Sequence, residues 1–180
     1  MTQEDINGLL ENILNQYQQA FTERTPPEES TEEDDLMLAF GFTQTIKATN
    51  KQYWGRQLGK CWERLVETLC QQTCEQYQKA HGTHYDLAVG LNAIDTKYRI
   101  GSGDAKTLRG FKQNAETLID EGFTPVLLIV RNDNLQQAIK ACSDGGWEIY
   151  AGNNAYDYLN NLTQFDLQAW LQTRQNRFSL

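Results

Sequence analysis

Thr124-Pro-Val-Leu-Leu-Ile-Val130 runs for seven residues with no charge and no polar side chain after Thr124. A bounded apolar run of this length reads as a strand, and without polar alternation it must be covered on both faces. Covering both faces takes helices on either side of the sheet, which commits the chain to an α/β architecture. The neighbouring segments supply those helices. From Tyr53 to Tyr77, one apolar stripe passes through Trp54, Leu58, Cys61, Trp62, Leu65, Val66 and Leu69, which is the pattern of a long amphipathic helix. Further helices read over 104–120, with Leu108, Phe111, Ala115, Leu118 and Ile119 inward, over 134–143 before Gly145-Gly146, and over 154–173. Short strands read over His84–Val89, Asn92–Ile100 and Trp147–Ala151. The order α, β, β, α, β, α, β, α predicts a mixed sheet with helices on its faces.

The amino-terminal part differs in kind. Residues 4–22 place Ile6, Leu9, Leu10, Ile13, Leu14, Tyr17 and Phe21 at helical spacing. The stretch from Thr25 to Asp35 holds two prolines and six acids and reads as a solvated linker, with a second helix over 35–48. At 180 residues the chain is expected to be one domain: a helical arm over 1–50, a core over 53–151 and carboxy-terminal helices over 154–180. No window approaches about 18 uninterrupted apolar residues, so no membrane span is expected. Met-Thr-Gln-Glu-Asp at the start has neither a basic nor an apolar leader segment, and the expected location is the cytoplasm. Cys61, Cys70, Cys74 and Cys142 form no dense disulfide framework. Cys70 and Cys74 with His81 and His84 look superficially like a zinc site, but the spacing fits none of the usual structural patterns.

A formal net charge of −8 argues against a nucleic-acid partner until its distribution is considered. Residues 1–35 hold ten acids and one arginine, whereas residues 36–180 hold fifteen basic residues and fourteen acids. Between Lys47 and Lys112 there are eleven basic residues and six acids. The acidity belongs to the amino-terminal segment, and the middle of the chain can face an anion.

The middle also carries the chemistry. Strand alternation puts Asp95, Lys97 and Arg99 on one face, and Ile94, Tyr98 and Ile100 on the other. A two-residue turn at Gly90-Leu91 pairs Val89 with Asn92, and that register brings Asp86 directly opposite Asp95. Opposed residues on a sheet face have Cβ atoms roughly 4.5–5.5 Å apart, so the two carboxylates repel unless a positive charge lies between them. Mg²⁺ suits such a pair, because it favours carboxylate oxygens and keeps several waters. Lys97, on the same face, could orient a water or stabilise charge on a phosphate. Alone, Asp-x-Lys is common, and alternating polar residues mark any solvated strand face. The hairpin and the second carboxylate set this one apart.

Asp86, eight residues, then Asp95-Thr-Lys97 resembles the PD-(D/E)xK nuclease motif. Gly59-Lys-Cys-Trp-Glu63, in the preceding helix, is similar to the glycine-then-glutamate pattern of the first core helix there, whose glutamate often joins the metal site. The resemblance covers Tyr53 to Ala151 and implies a restriction-endonuclease-like αβββαβ core with extra helices at both ends. More narrowly, Asp95-Thr-Lys-Tyr-Arg-Ile-Gly-Ser-Gly-Asp-Ala-Lys106 and Gly145-Gly-Trp147 resemble type II restriction endonucleases of the ApaLI-like group. Tyr85 stands where the motif names proline, and Asp95 where glutamate is frequent. The resemblance implies a Mg²⁺-dependent endonuclease acting on double-stranded DNA as a homodimer. Asp86, Asp95 and Glu63 would hold the metal and act with Lys97. Two other readings stand beside it: a repair or structure-specific nuclease of the same fold, and a silent core that binds nucleic acid without cutting. The joint presence of Asp86, Asp95 and Lys97 favours catalysis.

At about 100° per residue, Glu63 falls just outside the apolar stripe of its helix, within reach of a site beside the core. Asp104-Ala-Lys106 is a second Asp-x-Lys, but it follows Gly101-Ser-Gly103, and Asp104 reads as a helix N-cap. Lys106, Arg109 and Lys112 in the first turns of that helix, together with Arg99, are candidates for phosphate contact, with a merely solvated face as the alternative for the three helical residues. Trp147 and Tyr150 read as packing residues, and Tyr156, Tyr158, Phe165 and Trp170 as helix core.

Overall fold

The structure, a computed structural model, describes residues 33–49, 51–80, 84–101 and 103–176. Residues 31–180 form one compact unit. The expected helix at 4–22, most of the acidic linker and the turn at His81-Gly82-Thr83 lie outside the described residues. In chain order the elements are α1 (Asp35–Ala39), α2 (Gln44–Thr49), α3 (Lys51–Thr73), β1 (Tyr77–Lys79), β2 (Leu87–Val89), β3 (Asn92–Lys97), α4 (Ala105–Asp120), β4 (Thr124–Ile129), α5 (Gln136–Asp144), β5 (Glu148–Ala151), α6 (Asn153–Thr163) and α7 (Leu167–Gln172).

The strands form one sheet in the order β1-β2-β3-β4-β5. β1, β2 and β3 run antiparallel, and β3, β4 and β5 run parallel, so the sheet is mixed as expected. β4, between β3 and β5, is its most apolar strand. Val126, Leu128 and Val130 pack with Leu58, Trp62 and Val66 of α3 and with Tyr156 and Leu159 of α6. Leu127 and Ile129 pack on the opposite side with Ala115 and Leu118 of α4 and Ala138 and Cys142 of α5. Burial on both faces explains why this strand shows no polar alternation. Trp62 is fully buried, donates from Nε1 to the Leu128 carbonyl at 3.3 Å, and meets the Tyr156 ring edge-on at 5.4 Å.

Several boundaries differ from the sequence reading: the expected helix over 35–48 is two helices, α1 and α2, and β2 begins only at Leu87. α3 ends at Thr73, and Tyr77-Gln-Lys79 is an edge strand paired with β2. The last helical stretch divides at Gln164, whose φ of 57° is left-handed, and Asp166 then caps α7 by accepting from Ala169 N at 2.8 Å. β3 stops at Lys97, so the alternation does not extend to its last predicted residues. Ile94 and Tyr98 do pack toward α3, but Ile100 joins the α4–α5 side. Trp147 is buried, with its Nε1 on the Phe111 carbonyl at 2.8 Å, and the carboxy-terminal aromatics pack into or against the core on the α3 side. Among the described residues no helix is long and apolar enough to cross a membrane.

Candidate active site

The hairpin sets the geometry. Gly90, with φ of +60°, and Leu91 form the turn, and the register pairs Val89 with Asn92, Ala88 with Ala93 and Leu87 with Ile94. Asp86, just past the end of β2, donates from N to Ile94 O at 2.8 Å, one residue out of step with the Leu87–Ile94 pair, so the regular ladder ends there. The expected register does not reach the two acids, but their side chains are close enough to share a hydrogen bond.

Each acid is held differently. Asp86 Oδ2 accepts from Thr96 N at 2.7 Å and from Thr96 Oγ1 at 2.6 Å. Thr96 had not been singled out in the sequence, yet it is the residue that fixes Asp86. The signal was its hydroxyl in the middle of Asp-x-Lys, on the strand facing the first acid. Asp95 lies in the middle of the sheet, registered with Leu127 of β4, and is only 8% exposed. Lys97 Nζ donates to Asp95 Oδ1 at 2.6 Å and to the Thr96 carbonyl at 3.2 Å. A solvated strand face would leave Asp95 in water; here it is buried beside a second acid.

Burial pushes the Asp95 carboxyl up to about 6. The charge of Asp86 and a hydrogen bond between the two acids add to the rise, and Lys97 opposes it. Glu63 of α3 is also raised, first by burial, then by Asp86 and Glu67, against Lys97 and Lys60. The glutamate therefore stands in the same electrostatic neighbourhood as Asp86 and Lys97. Among the described residues no three His, Cys, Asp or Glu side chains gather closely enough to hold a metal ion by themselves. The close pair is Asp86 and Asp95, with Glu63 at longer range.

The chain matches no known protein family, no curated protein and no solved structure. The functional reading rests on the site itself.

The other sequence candidates fall into two groups. Arg99 is drawn away from the Asp95–Lys97 pair: its Nε donates to the Asp133 carbonyl at 2.9 Å and to Asp133 Oδ2 at 3.2 Å, with 18% of the side chain exposed. Asp133 also accepts from Arg131 Nε at 2.8 Å, and Arg131 Nη1 lies 3.3 Å from Asp34 Oδ2, which accepts the Tyr98 hydroxyl at 2.5 Å. Lys106, Arg109 and Lys112 are exposed on α4. Arg109 Nε bonds the Ala105 carbonyl at 3.1 Å, and Lys112 lies 3.7 Å from Glu116. Asp104 caps α4, accepting from Lys106 N at 3.1 Å, Thr107 N at 3.0 Å and Thr107 Oγ1 at 2.7 Å, as expected of an N-cap rather than a second site.

The pair Asp86–Asp95 offers hard oxygen ligands side by side, with Lys97 the cation in bonding contact among the described residues. This donor set fits Mg²⁺, which binds through one or two carboxylates together with waters and substrate phosphate.

Proposed function

We propose that this protein is a Mg²⁺-dependent endonuclease that hydrolyses phosphodiester bonds of double-stranded DNA, with a restriction-endonuclease-like core. The observation that carries the reading is the buried Asp95 beside Asp86, with Lys97 Nζ 2.6 Å from Asp95 Oδ1. The order helix α3, hairpin β2–β3 with its edge strand β1, helix α4 and parallel strand β4 is the order that the PD-(D/E)xK resemblance implies, and it supports the same reading.

Asp86 and Asp95 would hold the ion, with Glu63 in the same electrostatic neighbourhood. When bound, Mg²⁺ would supply charge neutralisation at the scissile phosphate and a more acidic water. Thr96 orients Asp86 by donating two hydrogen bonds to one of its oxygens. Lys97 is 37% exposed at its side chain and 2.6 Å from Asp95, so it can turn from Asp95 toward a phosphate oxygen or a water placed there. Cutting both strands symmetrically calls for two copies, and we take the homodimer as the acting form.

The test is incubation of the purified chain with mixed plasmid DNA and Mg²⁺, with Lys97→Ala and EDTA as controls. The expected result is discrete fragments that both controls abolish. Nicking or smearing with the same two dependences would assign the site to a repair or structure-specific nuclease. Mg²⁺-dependent cleavage that survives Lys97→Ala would refute the site.

A further inference from the structure

Helix α3 carries a row of side chains spaced four residues apart: Gln52, Arg56, Lys60, Arg64, Thr68 and Gln72. All six are exposed, and none is acidic. At about 100° per residue, Lys60 and Arg64 straddle the position opposite the buried Trp62, which puts them on the crest of the helix. From Arg56 to Arg64 the row advances about 12 Å along the axis. Among the described residues none of the three cations makes an ion pair with a carboxylate. Lys79, Lys97, Arg99, Lys112, Arg131 and Lys140 all do. In a chain with 24 acids, three unpaired cations in one row on one helix are a concentrated positive feature.

The row lies next to the site. Glu63 belongs to the same helix, and Lys60 lowers its affinity for a proton against the effect of burial and Asp86. The other flank of the helix opens on a groove of ≈ 690 Å³ rimmed by Lys60 and Arg64 and floored by Leu65, Leu69, Phe165 and Trp170. An acidic amphipathic helix seated in that groove would engage Lys60 and Arg64. It would have no use for Arg56, which does not line the groove. An extended polyanion lying across the crest uses all three.

We propose that Arg56, Lys60 and Arg64 form a phosphate-contacting ridge that seats the nucleic-acid backbone beside the Asp86–Asp95–Lys97 site. The identity of the polyanion rests on the nuclease reading; the ridge itself rests on its row of unpaired charges. Exposed, flexible cations suit this task, because phosphate contacts position a duplex without reading its sequence.

The measurement is anisotropy of a short labelled mixed-sequence duplex, titrated with the full chain in EDTA over a series of KCl concentrations. Each phosphate contact adds about −0.9 to the slope of log K against log salt, so Arg56→Ala/Lys60→Ala/Arg64→Ala should flatten the slope by up to about 2.7. The single variant Arg56→Ala should flatten it by about 0.9. Arg56→Lys/Arg64→Lys, which keeps the charge, should retain the wild-type slope. All three positions are exposed, so the variants should melt with the wild type. A wild-type slope in the triple variant, or no duplex binding by the wild type, overturns the ridge. So does binding of polyglutamate that depends on Lys60 and Arg64 but not on Arg56, which would assign the groove to an acidic helix. The nuclease reading fails separately: a ridge-dependent slope without any Mg²⁺-dependent cleavage leaves the ridge standing, and Lys97-dependent cleavage with an unchanged slope removes only the ridge.

Discussion

Replacing Asp95 with asparagine should make the protein more stable at neutral pH while it removes the response to Mg²⁺. The Asp95 carboxyl holds its proton to about 6 instead of 3.8, chiefly because it is buried. At about 1.36 kcal/mol per pH unit, ionising it inside the fold costs on the order of 3 kcal/mol relative to the unfolded chain. The sign follows from proton linkage. Below pH 3.8 both states hold the proton and the cost is absent. Between 3.8 and about 6 the folded state keeps a proton that the unfolded state has lost, so stability falls as pH rises. Above about 6 the whole cost is present. Asparagine matches the protonated form in size and carries no charge, so the variant escapes it. It also loses the charge that Lys97 faces, and the 37% exposure of the Lys97 side chain lets water take over. A net gain of about 1–3 kcal/mol at pH 8 corresponds to a melting temperature higher by roughly 2–12 °C in a chain of this size. The assay is thermal melting of both proteins from pH 4 to 8, first in EDTA and then in Mg²⁺. The two curves should converge near pH 4 and separate to a plateau above about 6. Mg²⁺ should raise the wild-type midpoint at pH 8, raise it less at pH 5, and leave Asp95→Asn unmoved. An Asp95→Asn protein no more stable than the wild type at pH 8, or a difference that does not change with pH, would show that Asp95 is not a confined carboxylate and would refute this reasoning.

Thr96→Val keeps the shape of a buried side chain but removes the hydroxyl bond to Asp86 Oδ2, and it should cost about 1.5–3 kcal/mol in denaturant melts at pH 8. The same variant should need more Mg²⁺ for a given rise in melting temperature, since Asp86 keeps only the backbone bond from position 96; an unchanged Mg²⁺ titration would deny the Thr96 hydroxyl its positioning role. Tyr156→Phe should be neutral or stabilising by up to about 1–3 kcal/mol, because the Tyr156 hydroxyl is buried with no hydrogen-bond partner among the described residues. A clear loss of stability in urea unfolding would mean that the hydroxyl does work that the structure does not account for. Gly90→Ala should destabilise by about 1–2 kcal/mol, since φ at this turn is left-handed and the added Cβ would meet Gln76 Oε1 at 2.7 Å. A neutral result there would mean that the hairpin turn is less tightly specified than its register suggests.

The pairing of β2 with β3 was legible because a two-residue turn and a period of two leave only one register once Val89 meets Asn92. Asp104 was legible as a cap because a residue after Gly101-Ser-Gly103 and before a helical pattern needs no distant partner. Arg99 was not. Its place depends on Asp133, which lies outside any local pattern and arrives only when β4 lies beside β3. The edge strand Tyr77–Lys79 was missed for a related reason: three polar-leaning residues show no strand pattern until β2 supplies their hydrogen bonds. The division of the last helix at Gln164 could have been read from Asp166, a good N-cap residue placed just before Leu167.

Two polar clusters near the end of β3 show what separates a structural ion network from a site. In the first, the charges balance: Asp133 bridges Arg99 and Arg131, and Asp34 receives both Arg131 and the Tyr98 hydroxyl. Buried Arg131 is raised by its hydrogen bond to Asp133, by Tyr98 and by the two acids, against burial, so the network keeps it charged. In the second, Asp86, Asp95 and Glu63 share a neighbourhood in which Lys97 is the cation in bonding contact, and Asp95 responds by gripping a proton. A perturbed carboxyl alone does not mark a site, since ion networks perturb their members too. The distinction lies in the remainder. The Arg131 cluster is complete without a ligand, whereas the Asp95 cluster has acid in excess and is relieved by an added positive charge. That excess sits at the end of a strand next to an exposed basic ridge, where a cation could enter together with the phosphate it would serve.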